Sequence, residues 1–199
     1  MRPTEILSAE HRIIETVLSC LDAMAAGVER GDALDVASAT QAIEFLRTFA
    51  DRCHHGKEER HLFRTLMAKG WSGETGPVGV MLSEHEEGRG LIKRMALACD
   101  QTMSDAAPAS KSFAEAARAY VALLRQHILK EDGVLFAMAN RVLDGAEQRE
   151  LLERFEVAEA EEIGGDVHER MLAIARELAE RFLREEEATP AVARASCRH

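Results

Sequence analysis

Two stretches of this chain repeat the same chemically capable side chains at the same spacing. DRCHHGKEERHLF, residues 51 to 63, places His54 four residues before Glu58, and RQHILKEDGVLF, residues 125 to 136, places His127 four before Glu131. In a helix that separation is about 400° of rotation and roughly 6 Å along the axis, so each pair shares one face. A neutral imidazole and a carboxylate pointing the same way form a two-ligand claw for a borderline metal. One such pair is weak ground, because His-x-x-x-Glu also arises by chance or as a surface pair. The repeat decides the matter: both copies read H-x-x-K-E-x-x-x-L-F, with His54, Lys57, Glu58, Leu62 and Phe63 against His127, Lys130, Glu131, Leu135 and Phe136.

Each copy is preceded by an isolated histidine, His11 in SAEHR and His85 in LSEHE, at matching distances of 43 and 42 residues. The pattern is that of a duplicated helix hairpin, each half supplying one His and then one His-x-x-x-Glu. Four nitrogens and two carboxylates suit a metal pair, since a carboxylate has two oxygens and can bridge two cations. Burying two carboxylates without a cation costs several kcal/mol or forces their protonation. A lone core histidine is more often a packing residue, but the repeat around His11 and His85 favours the metal role. His55 sits about 100° from His54 and is expected to face outward or a neighbouring helix. Glu59 is the weaker choice than Glu58, although a register shift of one residue exchanges them.

These side chains need helices to hold them. The first is expected from Pro3 or Thr4 to about Glu29, with His11, Ile14, Leu18, Leu21, Ala25 and Val28 as its apolar stripe. A second runs from about Leu34 to Lys69, with Ile43, Leu46, Ala50, His54, Glu58 and His61 on one face. GWSGETGP, residues 70 to 77, is the clearest loop. A third helix spans about Val78 to Gln101 with His85 on its apolar face. After a linker from Thr102 to Lys111, Ser112 and Glu115 read as the capping box of a fourth, which carries Phe113, Tyr120, Leu124, His127, Glu131, Val134 and Met138 and ends near Asp144-Gly145. No strand-like alternation appears, so the fold class is all-α.

Composition limits the alternatives. With 199 residues and 46% hydrophobic content the chain can bury one substantial core. A net charge of −10 argues against nucleic acid and against a polybasic membrane site. No signal peptide or membrane span is expected, which places the protein in the cytoplasm. Cys20, Cys53, Cys99 and Cys197 form no CxxC and fit reduced thiols. Residues 146 to 187 hold 14 acidic and 6 basic side chains. Gly164-Gly165 divides this stretch into two helices, with Asp166 and Glu169 expected to cap the second. The apolar face of that second helix, Met171, Ile174, Ala175, Leu178 and Phe182, must be covered by the rest of the chain or by another subunit in a homodimer. The expected division is 1–144, 145–187 as a two-helix extension, and 188–199 as a flexible tail.

Residues 4 to 143 resemble the hemerythrin-like, HHE cation-binding proteins: an isolated His, HxxxE followed by LF, an isolated His in a SEHE setting, and HxxxE followed by LF. The resemblance implies an antiparallel up-down four-helix bundle holding a carboxylate-bridged pair of non-haem iron ions. It implies His11, His54, Glu58, His85, His127 and Glu131 as the metal ligands. The invertebrate oxygen carriers of this family have a second histidine where this chain has Arg89, and an Asp one residue beyond the position of Glu131. Both departures favour exchangeable coordination positions over a closed carrier site. The function expected is binding or sensing of oxygen or nitric oxide. The alternatives are a redox enzyme acting on nitric oxide or peroxide, or an iron donor in stress response. His61, seven residues past His54, is expected to point into the bundle as a core histidine or as a proton donor. Tyr120 packs or donates to a bound species, and Gly88 leaves room for a small ligand. His168 and His199 receive no role.

Overall fold

Local chemistry at the helix ends accounts for most of the element boundaries. The structure, a computed structural model, describes residues 1–160 and 164–183; the tail at 188–199, with Cys197 and His199, lies outside the described residues. Among the described residues there are six helices and no strand: α1 (Pro3–Glu29), α2 (residues 36–68), α3 (Gly76–Gln101), α4 (residues 106–142), α5 (Gly145–Ala158) and α6 (Gly165–Phe182). Pro3 occupies the first turn of α1, where a missing N–H costs nothing, and the Glu5 carboxylate accepts from the Arg2 backbone N–H at 2.8 Å. Gly31, at φ +99°, turns the chain out of α1. Asp35 caps α2 by accepting from the Ser38 N–H. Asp144 and Glu147 form a reciprocal capping box at the start of α5.

Two expected start signals are corrected. The helix α4 begins at Ala106, after Asp105, so Ser112 and Glu115 lie within it rather than at its cap. Pro108 does not delay the helix because the first-turn N–H groups have no intrahelical partner to lose. The chain turns into α6 at Gly164, at φ +80°, so the helix is already under way at Asp166 and needs no cap from it.

Neither α2 nor α4 is a uniform α-helix. The segments Leu46–His55 and Glu58–Leu62 in α2, and Glu131–Leu135 in α4, are π-helical, with i to i+5 hydrogen bonding. Each wide turn takes in an extra residue and rotates the helix beyond it. Past Glu131, Leu135, Phe136 and Ala139 are therefore buried, whereas Val134 and Met138, expected on the inner face, are 52% and 37% exposed.

The first four helices form a closed ring of contacts, α1 to α2, α2 to α3, α3 to α4 and α4 back to α1, and α6 packs on α1 and α2. Met171, Ile174, Ala175 and Leu178 of α6 are buried in the same apolar cluster as Leu18, Leu21 and Phe45. The apolar face of the extension is thus covered by its own chain. A second cluster contains Leu7, Leu62, Phe63, Met81, Leu135 and Phe136, together with Leu151 and Phe155 of α5. Both repeated Leu-Phe pairs lie there. No helix among the described residues is long and apolar enough to cross a membrane. Cys20, Cys53 and Cys99 are buried free thiols.

Candidate metal centre

Between the two apolar clusters lies a polar layer made of the six side chains singled out by the repeat. His11 comes from α1, His54 and Glu58 from α2, His85 from α3, and His127 and Glu131 from α4; none is more than 1% exposed. Glu58 Oε1 lies 3.7 Å from His54 Nε2, and its Oε2 lies 3.5 Å from His85 Nε2, so one carboxylate addresses both halves of the repeat. Glu131 Oε2 lies 3.2 Å from His11 Nε2 and 3.3 Å from His127 Nε2.

These approaches lack hydrogen-bond alignment. All four oxygens of Glu58 and Glu131, and the Nε2 atoms of His11 and His54, are buried without a hydrogen-bond partner. His85 Nε2 and His127 Nε2 face each other at 3.2 Å, close to the roughly 3 Å between two nitrogens set at a right angle about 2.1 Å from one ion. Buried polar atoms normally find partners, and a set of them converging without any is the donor set of a cation site. The ligand atoms fall into two groups that share Glu58, each with all its atoms within 4.8 Å of one another: His11, His54, Glu58 and Glu131, and His55, Glu58, His85 and His127.

Around this layer stands a ring of carboxylates. His54 Nδ1 donates to Glu10 and His127 Nδ1 to Glu84, both at 2.9 Å; His85 Nδ1 donates to Glu59 at 2.7 Å and His11 Nδ1 to Asp132 at 2.9 Å. An ionised carboxylate only accepts, so each Nδ1 carries a ring proton, and each Nε2 is the nitrogen that turns inward and can ligate once any proton on it is displaced. Each outer carboxylate adjoins an inner residue in sequence: Glu10 precedes His11, Glu84 precedes His85, Glu59 follows Glu58 and Asp132 follows Glu131. The doublets Glu-His and Glu-Glu/Asp carried this signal. Lys57 Nζ binds Glu10, and Lys130 Nζ binds Glu84 in the same way.

Electrostatics favour a cation at the centre. Burial pushes the Glu58 carboxyl well above the usual carboxylate range, and the charge of Glu131 adds to the effect. Burial also works to raise Glu131, but His127 and His11 outweigh it and hold that carboxyl well below the usual range. The His54 imidazole is driven down to about 4 by burial. For His127 burial acts in the same sense, yet Glu131 and Glu84 prevail and lift it to about 9. Two buried carboxylates sharing one site need a proton or a metal to coexist, and a metal displaces the protons its ligands would otherwise hold.

Several expectations change here. His55 does turn toward a neighbouring helix, but into the centre itself, stacked on His85. The adjacent His-His doublet was the available signal, and reasoning from one α-helical face missed it. His61 does not point into the centre; the π-helical turns of α2 rotate it to pack against Phe155 of α5, with ring centroids 6.1 Å apart. Gly88 stands against the Tyr120 ring, which a Cβ there would meet at 3.4 Å, an ordinary van der Waals contact. Tyr120 is buried with no hydrogen-bond partner for its hydroxyl. Arg89 is tied to Asp51, Glu59 and Glu86. Cys53, Glu159 and His168 also come together, but the Lys57 ammonium already lies 3.0 Å from Glu159 Oε2 and supplies the positive charge there.

Known proteins share this part of the chain. The family described as "Hemerythrin HHE cation binding domain" matches residues 2–139. Similar curated proteins are an uncharacterized protein of Mycobacterium bovis and uncharacterized proteins of two strains of Mycobacterium tuberculosis, each 25% identical over 160 residues. The match covers 80% of this chain and 62% of each relative, so the chain spans less than two thirds of their length. No solved structure matches.

Proposed function

Since the chain belongs to the hemerythrin HHE cation-binding domain family, we propose that it holds two iron ions and binds or senses oxygen or nitric oxide there. The observation that carries this reading is the convergence of unpartnered ligand atoms from His11, His54, Glu58 and Glu131, with His85 and His127 completing the set. In this reading Glu58 and Glu131, together with the four histidines, would hold the ions. A four-helix, up-down arrangement is supported by the order in which the helices pass the two apolar clusters. Leu7 precedes His11 on α1 and Met81 precedes His85 on α3, whereas Leu62 follows Glu58 on α2 and Leu135 follows Glu131 on α4.

Iron bound there supplies redox-active coordination of a small diatomic ligand. The protein's own part is to present neutral Nε2 donors, oriented by Glu10, Glu59, Glu84 and Asp132, and to exclude water. The reading is tested by measuring iron in protein purified under iron-replete conditions and then recording visible spectra of the reduced protein with oxygen and with nitric oxide. Two irons per chain and a reversible spectral change are expected. Rapid bleaching with product formation moves the assignment to a redox enzyme, and protein that takes up no metal overturns it.

A further inference from the structure

His55 is the buried imidazole that the six-residue set leaves unexplained. It is 5% exposed, and its ring stacks on His85 with centroids 3.8 Å apart and planes 14° from parallel. His127 lies edge-on to it at 5.7 Å and His54 is tilted against it at 5.6 Å. One of its ring nitrogens falls within 4.8 Å of the ligand atoms of Glu58, His85 and His127. Its Nδ1 is buried without a hydrogen-bond partner; Asp51 Oδ1, 3.5 Å away, is not aligned to accept. A packing histidine would satisfy its polar atoms with protein donors and acceptors. Here the surroundings offer further imidazoles and a carboxylate that itself lacks partners, which is the company kept by a ligand of a shared ion.

The backbone explains how two consecutive histidines reach one site. On a regular α-helix His54 and His55 diverge by about 100°. Both lie at the end of the π-helical segment Leu46–His55, and wide turns of this kind are common at functional sites. Asp51, one turn before His55, is fixed by the Arg89 guanidinium from α3 at 2.8 Å. That link holds α2 and α3 together beside the His55–His85 stack.

We propose that His55 is a third imidazole ligand on the α3–α4 side of the centre. His11 and His54 then serve one ion, His55, His85 and His127 serve the other, and Glu58 and Glu131 lie between them. The inference rests on the two-ion reading above, and its test separates the two. Anaerobic ferrous titration of the full chain should give two equivalents for the wild type. His55→Ala and His55→Gln should keep one and bind the second about tenfold or more weakly. Nitrogen-15 NMR of zinc-loaded wild-type protein labelled at histidine should show five imidazoles with metal-shifted ring nitrogens. Four shifted imidazoles, with two tight equivalents retained in both variants, overturn the role of His55 and leave the two-ion reading standing. Fewer than two equivalents in the wild type overturn the two-ion reading itself. The NMR count uses wild-type protein, so it decides the matter even if circular dichroism shows that a variant has lost its helices.

Discussion

The two halves of the centre repeat one design in different surroundings. On the α1–α2 side, His54 donates to Glu10, which also holds Lys57; on the α3–α4 side, His127 donates to Glu84, which also holds Lys130. Lys57 is buried, with 1% of its side chain exposed, and meets a second carboxylate, Glu159, at the C-terminal end of α5. The Lys130 side chain is 41% exposed. The duplicated motif therefore sets the inner geometry twice, while the extension closes only the first copy. The second copy gains His55 instead. Equal ligand motifs need not make equal sites, because the energy of an ion pair depends on how much water its surroundings exclude.

The largest effect should come from a residue that reaches both halves. Glu58 turns one oxygen to His54 and the other to His85, so on the proposed two-ion reading Glu58→Ala would remove a ligand from both ions and should abolish both equivalents of bound iron. His54→Ala and His127→Ala each remove a ligand from one half, and each should lower iron content heavily, with one equivalent lost first. Elemental analysis of protein purified under iron-replete conditions checks the order. Full iron retention in both histidine variants would mean that the inner ligands have been misassigned.

How much of the centre is legible in the sequence depends on the physical range of each cue. The helices and the six inner residues follow from spacing, because i and i+4 fix a face wherever the helix is regular. His55, His61, Val134 and Met138 depart from expectation for one reason: the π-helical turns change the angular step, and their i to i+5 bonds leave no mark in a reading based on 3.6 residues per turn. The outer carboxylates stand in the sequence beside their inner neighbours, but which helix each one reaches depends on packing. The same holds for Lys57, whose partner Glu159 lies 102 residues away.

A difference between the halves should emerge from their outer carboxylates. Glu10→Ala and Glu84→Ala each free an imidazole Nδ1, and each should weaken metal binding by about 10- to 100-fold. Stability should separate them. Glu10→Ala strips a buried ammonium of its buried carboxylate and leaves it only the partly exposed Glu159, so the loss should exceed about 1 kcal/mol but stay below the roughly 3–5 kcal/mol of a wholly uncompensated buried charge. Glu84→Ala leaves Lys130 free to turn to solvent and should cost about 1 kcal/mol or less from that pair. Denaturant melts of the two metal-free variants make the comparison, and equal losses would show that the burial of Lys57 has no energetic consequence.

The smallest effect is expected where the extension touches the centre. Glu159→Ala removes the second partner of Lys57, but Glu10 remains, and the Glu159 side chain is 37% exposed. Its contribution should be that of a partly screened pair, about 1 kcal/mol or less. Lys57 is a step removed from the proposed metal ligands, acting on His54 through Glu10. Iron affinity on the α1–α2 side should therefore change by less than about threefold, an energy comparable to RT ln 3, while the thermal midpoint falls slightly. Iron titration and a melt of Glu159→Ala set against Glu10→Ala measure both quantities in one background. A loss of iron from Glu159→Ala as large as that from Glu10→Ala would make the extension part of the metal centre rather than its cover, and the difference between the halves would then be one of coordination and not only of burial.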